Sequence, residues 1–532
     1  MQEMTDFDVV VVGAGIGGIY AVHRFRDQGL SVLGLEAAPE VGGVWFHNRY
    51  PGARVDVESY DYCYYFSPEI YCEWTWTEKY AAQPEILAYL NFVADKLDIR
   101  KHFRFETALA GAQWVPDEAR YHLRTSVGDT ATCRFLVMAT GNLSAARDPH
   151  FPGLADFSGE WVQASHWPDR HIELAGRRVG VIGTGSSGVQ TISAIADQVG
   201  HLTVFQRSPN FSVPAHNGPI DTTLWAQIKQ DVKGERAKLL ASAGARHMEL
   251  DPVPAASITP QEQQERLERA WSIGGHGFNR VFTDQSTNQA ANDIVSEFVR
   301  NKIRSIVHDP GVAELLCPED HPIGSRRLCV DTDYFATYNR DNVSLVDVRS
   351  APIERITETG IRTADGKEHE LDLIIFALGF HAFTGALDAA GIRNESGAAP
   401  SDAWAEAPCA LLGLMTAGFP NLFILTGPGS PSVLASLTVH NEQNIDWVAD
   451  CIAYLDATGY STIVPSEEAQ AAWARNVSDA AAPLLRYHVS NYMVHVSRDG
   501  GRHFIPYAGG FGTYVEHCDR VARNGYEGFL LK

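Results

Sequence analysis

The chain has 532 residues, with 43 Lys and Arg against 65 Asp and Glu, giving a formal charge of −22 at pH 7. That acidity denies it the positive field a phosphate backbone demands, which sets nucleic acid aside as a general partner. Hydrophobic residues at 45% and charged residues at 20% are the balance of a soluble globular protein, and at about 150 residues per domain the length predicts three or four units.

The acidic start Met1–Asp6 leads directly into Phe7–Val12, with no signal or transit pattern. Phe7–Val12 is a continuous β-branched run, as in a parallel strand buried on both faces. Gly13-Ala14-Gly15-Ile16-Gly17-Gly18 follows, then an amphipathic stretch over Ile19–Gln28 closed by Gly29, then a strand over Ser31–Leu35 that ends at Glu36. Strand, GxGxxG, helix, strand and acid make a dinucleotide-binding unit. Gly13 makes the turn, Gly15 lets a diphosphate approach, and Gly18 packs helix on strand.

About 170 residues later the pattern returns. Arg178–Ile182 is the strand, Gly183-Thr184-Gly185-Ser186-Ser187-Gly188 the turn and Val189–Gln198 the helix. The next strand, Leu202–Phe205, ends not in an acid but in Gln206-Arg207-Ser208. A carboxylate here accepts hydrogen bonds from a ribose diol and repels a 2′-phosphate, whereas an arginine pairs with that phosphate. The first unit therefore reads as binding FAD or NAD and the second as binding NADP. Phe135–Gly141 and Leu373–Gly379 are apolar strands ending in glycine, one after each unit.

Residues 224–315 carry helical spacing, as in Glu262–Ile273 and Asn292–Ile306, with no strand alternation. The fold expected is α/β: two Rossmann-like dinucleotide-binding domains, for FAD and NADP, with a helical insertion in the NADP domain. The boundaries are 1–145 and 380–532 for FAD, 146–213 and 323–379 for NADP, and 214–322 for the insertion. The longest apolar runs, around Leu373–Phe380 and Leu422–Leu425, are strand-sized and far short of the ~18 residues that span a bilayer. Eight cysteines without a CxxC pair argue against a disulfide scaffold or zinc ribbon. A cytoplasmic enzyme without membrane attachment is expected, its oligomeric state open.

Two such cofactors imply hydride transfer from NADPH to flavin. A disulfide reductase needs two neighbouring cysteines beside the flavin, and Cys63 and Cys72 are in no such motif. A monooxygenase needs none, because the flavin forms a C4a-peroxide with O2 and the protein supplies a dry pocket and a fixed positive charge.

Gly42-Gly43-Val44-Trp45-Phe46-His47-Asn48-Arg49-Tyr50-Pro51-Gly52-Ala53-Arg54-Val55-Asp56 resembles the flavin-side motif of the Baeyer–Villiger monooxygenases. Phe157–Pro168 resembles their linker fingerprint, FxGxxxHxxxWP. Gly324-Ser325-Arg326-Arg327-Leu328 resembles the segment that carries their active-site arginine, and the likeness runs through to Asn524–Phe529 and is nearest to phenylacetone monooxygenase-type members. The resemblance implies NADPH- and O2-dependent oxygen insertion next to a ketone carbonyl, giving an ester or lactone. It implies Arg327 beside the flavin, held by Asp56; Val44, Trp45, Tyr62 and Leu437 against the flavin; Thr184, Ser186 and Gln190 on the NADP phosphates; and Arg207, Ser208 and Arg326 around the 2′-phosphate. Three departures stand out. Gln163 replaces the fingerprint histidine, with His166 three residues on. Asn491 replaces a tryptophan, with Val494-His495-Val496 in place of Gly-Ala-Asn. Leu437 replaces a methionine. Two other readings stay open: a sulfide- or amine-oxygenating flavin monooxygenase, and a non-catalytic NADPH and FAD sensor.

Overall fold

A computed structural model describes residues 5–247, 252–404 and 406–532. Met1–Met4, part of the start read as leaderless, lie outside them.

The opening apolar run forms the strand Thr5–Val12, whose last four valines are buried. It pairs in parallel with Val32–Leu35, Val9 opposite Val32 and Val12 opposite Leu35. The helix between them spans Ile16–Asp27, and Gly29, at φ +83°, turns the chain out of it. The helix thus begins three residues before Ile19, because Gly17 and Gly18 occupy its first turn and carry no side chain to mark the period. Helix Ser186–Ile195 likewise begins before Val189, and it also ends before Gln198.

Strand Thr130–Met138 joins two parts of the chain. Its first half pairs antiparallel with Arg120–Thr125, and its last residues pair parallel with Leu422–Ile424. With Leu109–Val115, Ile392–Arg393 and Phe103–Arg104 they complete an eight-stranded sheet. A second, five-stranded sheet is parallel throughout: Val343–Asp347, His201–Gln206, Arg178–Ile182, Leu373–Phe376 and Glu160–Gln163 lie side by side in that order. All four residues of Leu373–Phe376 are buried, as helix-covered parallel strands require.

Between Pro214 and Cys329 the described residues form helices, the longest being Pro260–Ile273 and Gln289–Ile306, and no strand. The two ends of this stretch are clamped together, since Ser212–Pro214 pairs in parallel with Cys329–Asp331. The clamp fixes the backbone two residues beyond Arg327. One buried apolar cluster runs through both sheets and this helical stretch, including Val9, Val179 and Leu267. No helix among the described residues is long and apolar enough to cross a membrane.

Candidate active site

Both glycine-rich turns exclude side chains at their first and last glycines. Gly13 and Gly183 have φ of +108° and +112°, and a Cβ on them would lie 2.7 Å and 2.4 Å from the carbonyl oxygens of Ala139 and Ala377. A Cβ on Gly18 would lie 1.7 Å from the Gly13 oxygen, and one on Gly188 2.1 Å from the Gly183 oxygen. A Cβ on Gly185 would meet nothing within 4 Å, so that position opens onto space before the helix. Both helices start from glycine, Gly15 and Gly185, with no capping side chain. Helix Pro260–Ile273, by contrast, is closed by a capping box from Thr259 and Glu262. Unclaimed first-turn N–H groups at two such starts fit the diphosphates of two dinucleotides.

Glu36 is buried and accepts hydrogen bonds from the backbone N–H of Ala14 at 2.6 Å and of Ala38 at 2.7 Å. Burial raises its carboxyl, and those N–H groups pull it back. Each oxygen keeps acceptor capacity for a ribose hydroxyl. The second unit ends differently. Gln206 extends the strand, is buried, and donates from Nε2 to the Leu315 oxygen at 2.7 Å, leaving Arg207 exposed. Thr184 Oγ1 donates to the Ser208 oxygen at 3.0 Å, joining the turn to this corner. Arg326 faces Asp320 at 3.4 Å.

Asp56 and Arg327 meet in a two-pronged ion pair, Nε and Nη2 donating to the two carboxylate oxygens at 2.5 and 2.6 Å. Burial disfavours both charges, but their mutual attraction outweighs it, holding Asp56 well below the ordinary carboxyl range and Arg327 above its own. Both stay ionised at neutral pH. Nη1 of Arg327 donates to the Val433 oxygen at 3.4 Å, and 30% of the side chain is still open.

Three further groups gather here that no local sequence signal marks. His276 brings Nε2 to 3.3 Å from Asp56 Oδ2, and its Nδ1 lies 3.3 Å from the Asn279 amide nitrogen. Burial lowers the imidazole's pKa against the pull of Asp56, so the ring is neutral at pH 7. Tyr492 lies within electrostatic reach of Arg327. Arg246 lies within electrostatic reach of both Arg327 and Asp56.

Gly43, at φ +54°, lets the short helix Val44–His47 start against the first turn, where a Cβ would be 2.8 Å from Gly15 Cα. Trp45 Nε1 donates to the Tyr62 hydroxyl at 2.8 Å. Leu437 is half-buried at the start of helix Leu437–Thr458. Ser186 Oγ lies 3.7 Å from Cys329 Sγ. Gln190 accepts from the Tyr50 hydroxyl at 2.8 Å and donates to the Arg54 oxygen at 3.1 Å, tying the second unit's helix to the segment before Asp56. Gln163 closes the strand Glu160–Gln163, while His166 turns its ring to 5.5 Å from that of His47. Asn491 folds onto its own loop, donating to the oxygens of Arg486 and Val489. Val494–Val496 forms a hairpin with Arg502–Phe504.

Two dinucleotide cradles and a guanidinium fixed near them define an NADPH-dependent flavoprotein oxygenase. Residues 7–234 match the pyridine nucleotide-disulphide oxidoreductase family model. The chain is 39% identical to a Baeyer–Villiger monooxygenase of Pseudooceanicola batsensis, over 99% of this chain and 96% of that one. It is 38% identical to phenazine N-monooxygenase PhzNO1 of Lysobacter antibioticus, over 100% and 98%. Among solved structures, an oxidized steroid monooxygenase bound to NADP is 49% identical, with 99% of each chain covered and a TM-score of 0.94. OTEMO complexed with FAD and NADP is 38% identical, with 100% of each chain covered and a TM-score of 0.95. The chain belongs to the Baeyer–Villiger monooxygenases, FAD-containing enzymes that draw on NADPH.

Proposed function

We propose that the protein converts a small ketone, with O2 and NADPH, into an ester or lactone, and that Arg327 holds the negative charge the reaction develops. The two-pronged Arg327–Asp56 pair carries this reading. FAD, when bound, takes hydride from NADPH and activates O2. A guanidinium never loses its proton in this pH range, so Arg327 presents a permanent positive charge to a ketone oxygen as it becomes anionic. Asp56 is a positioning residue: it fixes the guanidinium plane through two bonds, while 30% of the Arg327 side chain stays open.

In this reading Gly13, Gly15, Gly18 and Glu36 hold the FAD diphosphate and ribose, with Val44, Trp45, Tyr62 and Leu437 around the ring system. Gly183, Thr184, Gly185, Ser186, Gly188 and Gln190 surround the NADPH diphosphate, and Arg207, Ser208 and Arg326 its 2′-phosphate. Residues 1–145 and 380–532 form the FAD domain, 146–213 and 323–379 the NADPH domain, and 214–322 the insertion. The eight cysteines are all free, which supports a reducing, cytoplasmic setting. The 38% identity to an N-oxygenating relative favours nitrogen oxygenation as a second activity.

Arg327→Ala tests the assignment. Ester formation falls by about 100- to 1000-fold, the scale of losing an oxyanion-stabilising donor, while NADPH oxidation stays measurable. Normal ester yield from that variant overturns it.

A further inference from the structure

The corner that closes the second dinucleotide unit holds a third guanidinium besides those of Arg207 and Arg326. Strand Val343–Asp347 runs parallel to His201–Gln206, with Asp347 opposite Gln206. The chain leaves both strands side by side: the Val348 N–H donates to the Gln206 oxygen at 2.9 Å, and Arg349 Nε donates to the Arg207 oxygen at 3.3 Å. Arg349 is exposed, as Arg207 is, and its two Nη groups have no partner among the described residues. The register thus sets one arginine beside the other where the second strand of such a unit meets its ribose.

Near these arginines stands Asp320, whose place is set from behind. His321, its side chain only 1% exposed, packs its ring against Phe211 and brings Nδ1 to 2.6 Å from Asp320 Oδ1. Burial lowers the imidazole's pKa against the pull of Asp320, so the ring is neutral at pH 7 and Nδ1–H donates to the carboxylate. The other oxygen, Oδ2, lies 3.4 Å from Arg326 Nη2. Burial raises the Asp320 carboxyl, but the His321 bond and the charges of Arg326 and Arg349 prevail and hold it below the ordinary range. Asp347 is the second carboxylate here, and it spends both oxygens on its own turn, accepting from the Arg349 N–H and the Ser350 hydroxyl. Arg207 and Arg326 would only balance these two acids. Arg349 adds the surplus positive charge that a phosphate, carrying about −1.5 to −2 at pH 7, calls for.

We propose that Arg349 binds the 2′-phosphate of NADPH together with Arg207 and Arg326, and that Asp320 is the resident counter-ion of this site, giving up Arg326 when the phosphate arrives. The proposal rests on the NADPH reading of the second unit. Arginine suits the place because its forked donors meet phosphate oxygens in pairs. Arg207 and Arg349 follow neighbouring strands, so an anion takes donors from both without any change in the sheet. Asp320 screens Arg326 in the empty site and repels the incoming phosphate. The acid therefore costs affinity for NADPH and none for NADH, which brings no charge to this corner.

The test is calorimetric titration of the oxidised, FAD-loaded holoenzyme with NADP⁺ and with NAD⁺, at low and at high salt, which reads binding without turnover. Arg349→Ala weakens NADP⁺ by about 10-fold, the low end for a charge-assisted bond, and leaves NAD⁺ unchanged; Arg349→Lys restores part of the loss. Asp320→Asn, which keeps an acceptor for His321, tightens NADP⁺ by about 3-fold at low salt, the scale of one exposed charge, and by less at high salt. Unchanged NADP⁺ binding in Arg349→Ala, or an equal loss for the two nucleotides, overturns the proposal, while a selective loss in Arg207→Ala leaves the NADPH reading standing. NADP⁺ binding that weakens or stays the same in Asp320→Asn makes the acid an anchor for Arg326 and overturns its part as counter-ion. No preference for NADP⁺ over NAD⁺ in the unsubstituted protein overturns the proposal and the NADPH reading together.

Discussion

The unit that starts at Thr5 and the one that starts at Arg178 share a parallel strand, an uncapped helix and a second parallel strand, yet they end in different chemistry. Glu36 is buried and pinned by two backbone N–H groups, aimed back at its own turn. At the corresponding end of the second unit, Gln206 is turned away onto the Leu315 oxygen in the helical stretch, and the charge passes to the exposed Arg207. The backbone of such a unit serves any diphosphate, and the residue that closes its second strand chooses the ribose. The same difference lets the second unit anchor the insertion, through Gln206, while the first has no such attachment there.

The largest effects come from filling the turns. A methyl at Gly18 or Gly188 would collide with the carbonyl oxygen of its own turn. Gly18→Ala is expected to purify without flavin absorbance. Gly188→Ala is expected to keep its flavin and to raise KM for NADPH by about 100-fold or more, the scale of losing several bonds to the diphosphate. Flavin loss in both, or neither, breaks the distinction between the units. A smaller effect sharpens it. Arg207→Ala raises KM for NADPH by about 10- to 100-fold, as loss of a charge-assisted bond of ~1.5–3 kcal/mol implies, and barely changes KM for NADH. Equal losses for the two nucleotides would remove Arg207 from the 2′-phosphate.

The smallest expected effect falls outside both units. His247 lies between two carboxylates, Asp61 at 2.5 Å and Glu235 at 3.2 Å. Burial lowers the imidazole's pKa, but the bonds and charges of Asp61 and Glu235 prevail and raise it above 6.5. The folded state therefore binds this proton more tightly than the unfolded one. The stabilisation is complete below pH 6.5 and is lost as pH rises through the raised folded value. His247→Gln should lower the melting temperature more at pH 6 than at pH 9, by an amount equivalent to about 1 kcal/mol, with both cofactor affinities unchanged. Equal destabilisation at the two pH values would show that the pair does not act through its charge.

Both dinucleotide units were legible in the sequence because their strands are unbroken apolar runs and their turns need glycine; Arg178–Ile182 is found to the residue. Helix starts were read late where glycine and serine fill the first turn. The three-stranded antiparallel sheet formed by Ile353–Ile356, Gly360–Thr363 and Glu368–Glu370 went unread, although Asp365-Gly366, with Gly366 at φ +83°, is a hairpin signal. Asp56 and Arg327 were accessible through family resemblance alone, since nothing in either local segment predicts that they meet. His276, Tyr492 and Arg246 had no signal at all. They reach the site through the insertion and the C-terminal loop, and only the packed chain brings them together.

The central claim is that one oxygen atom of O2 enters the ketone beside its carbonyl. Turnover under ¹⁸O2 with limiting NADPH tests it directly. The account predicts one ester or lactone per NADPH, with a single ¹⁸O in the bridging position and none in the carbonyl. Unlabelled ester, or one hydrogen peroxide per NADPH with no ester for any ketone, would contradict it.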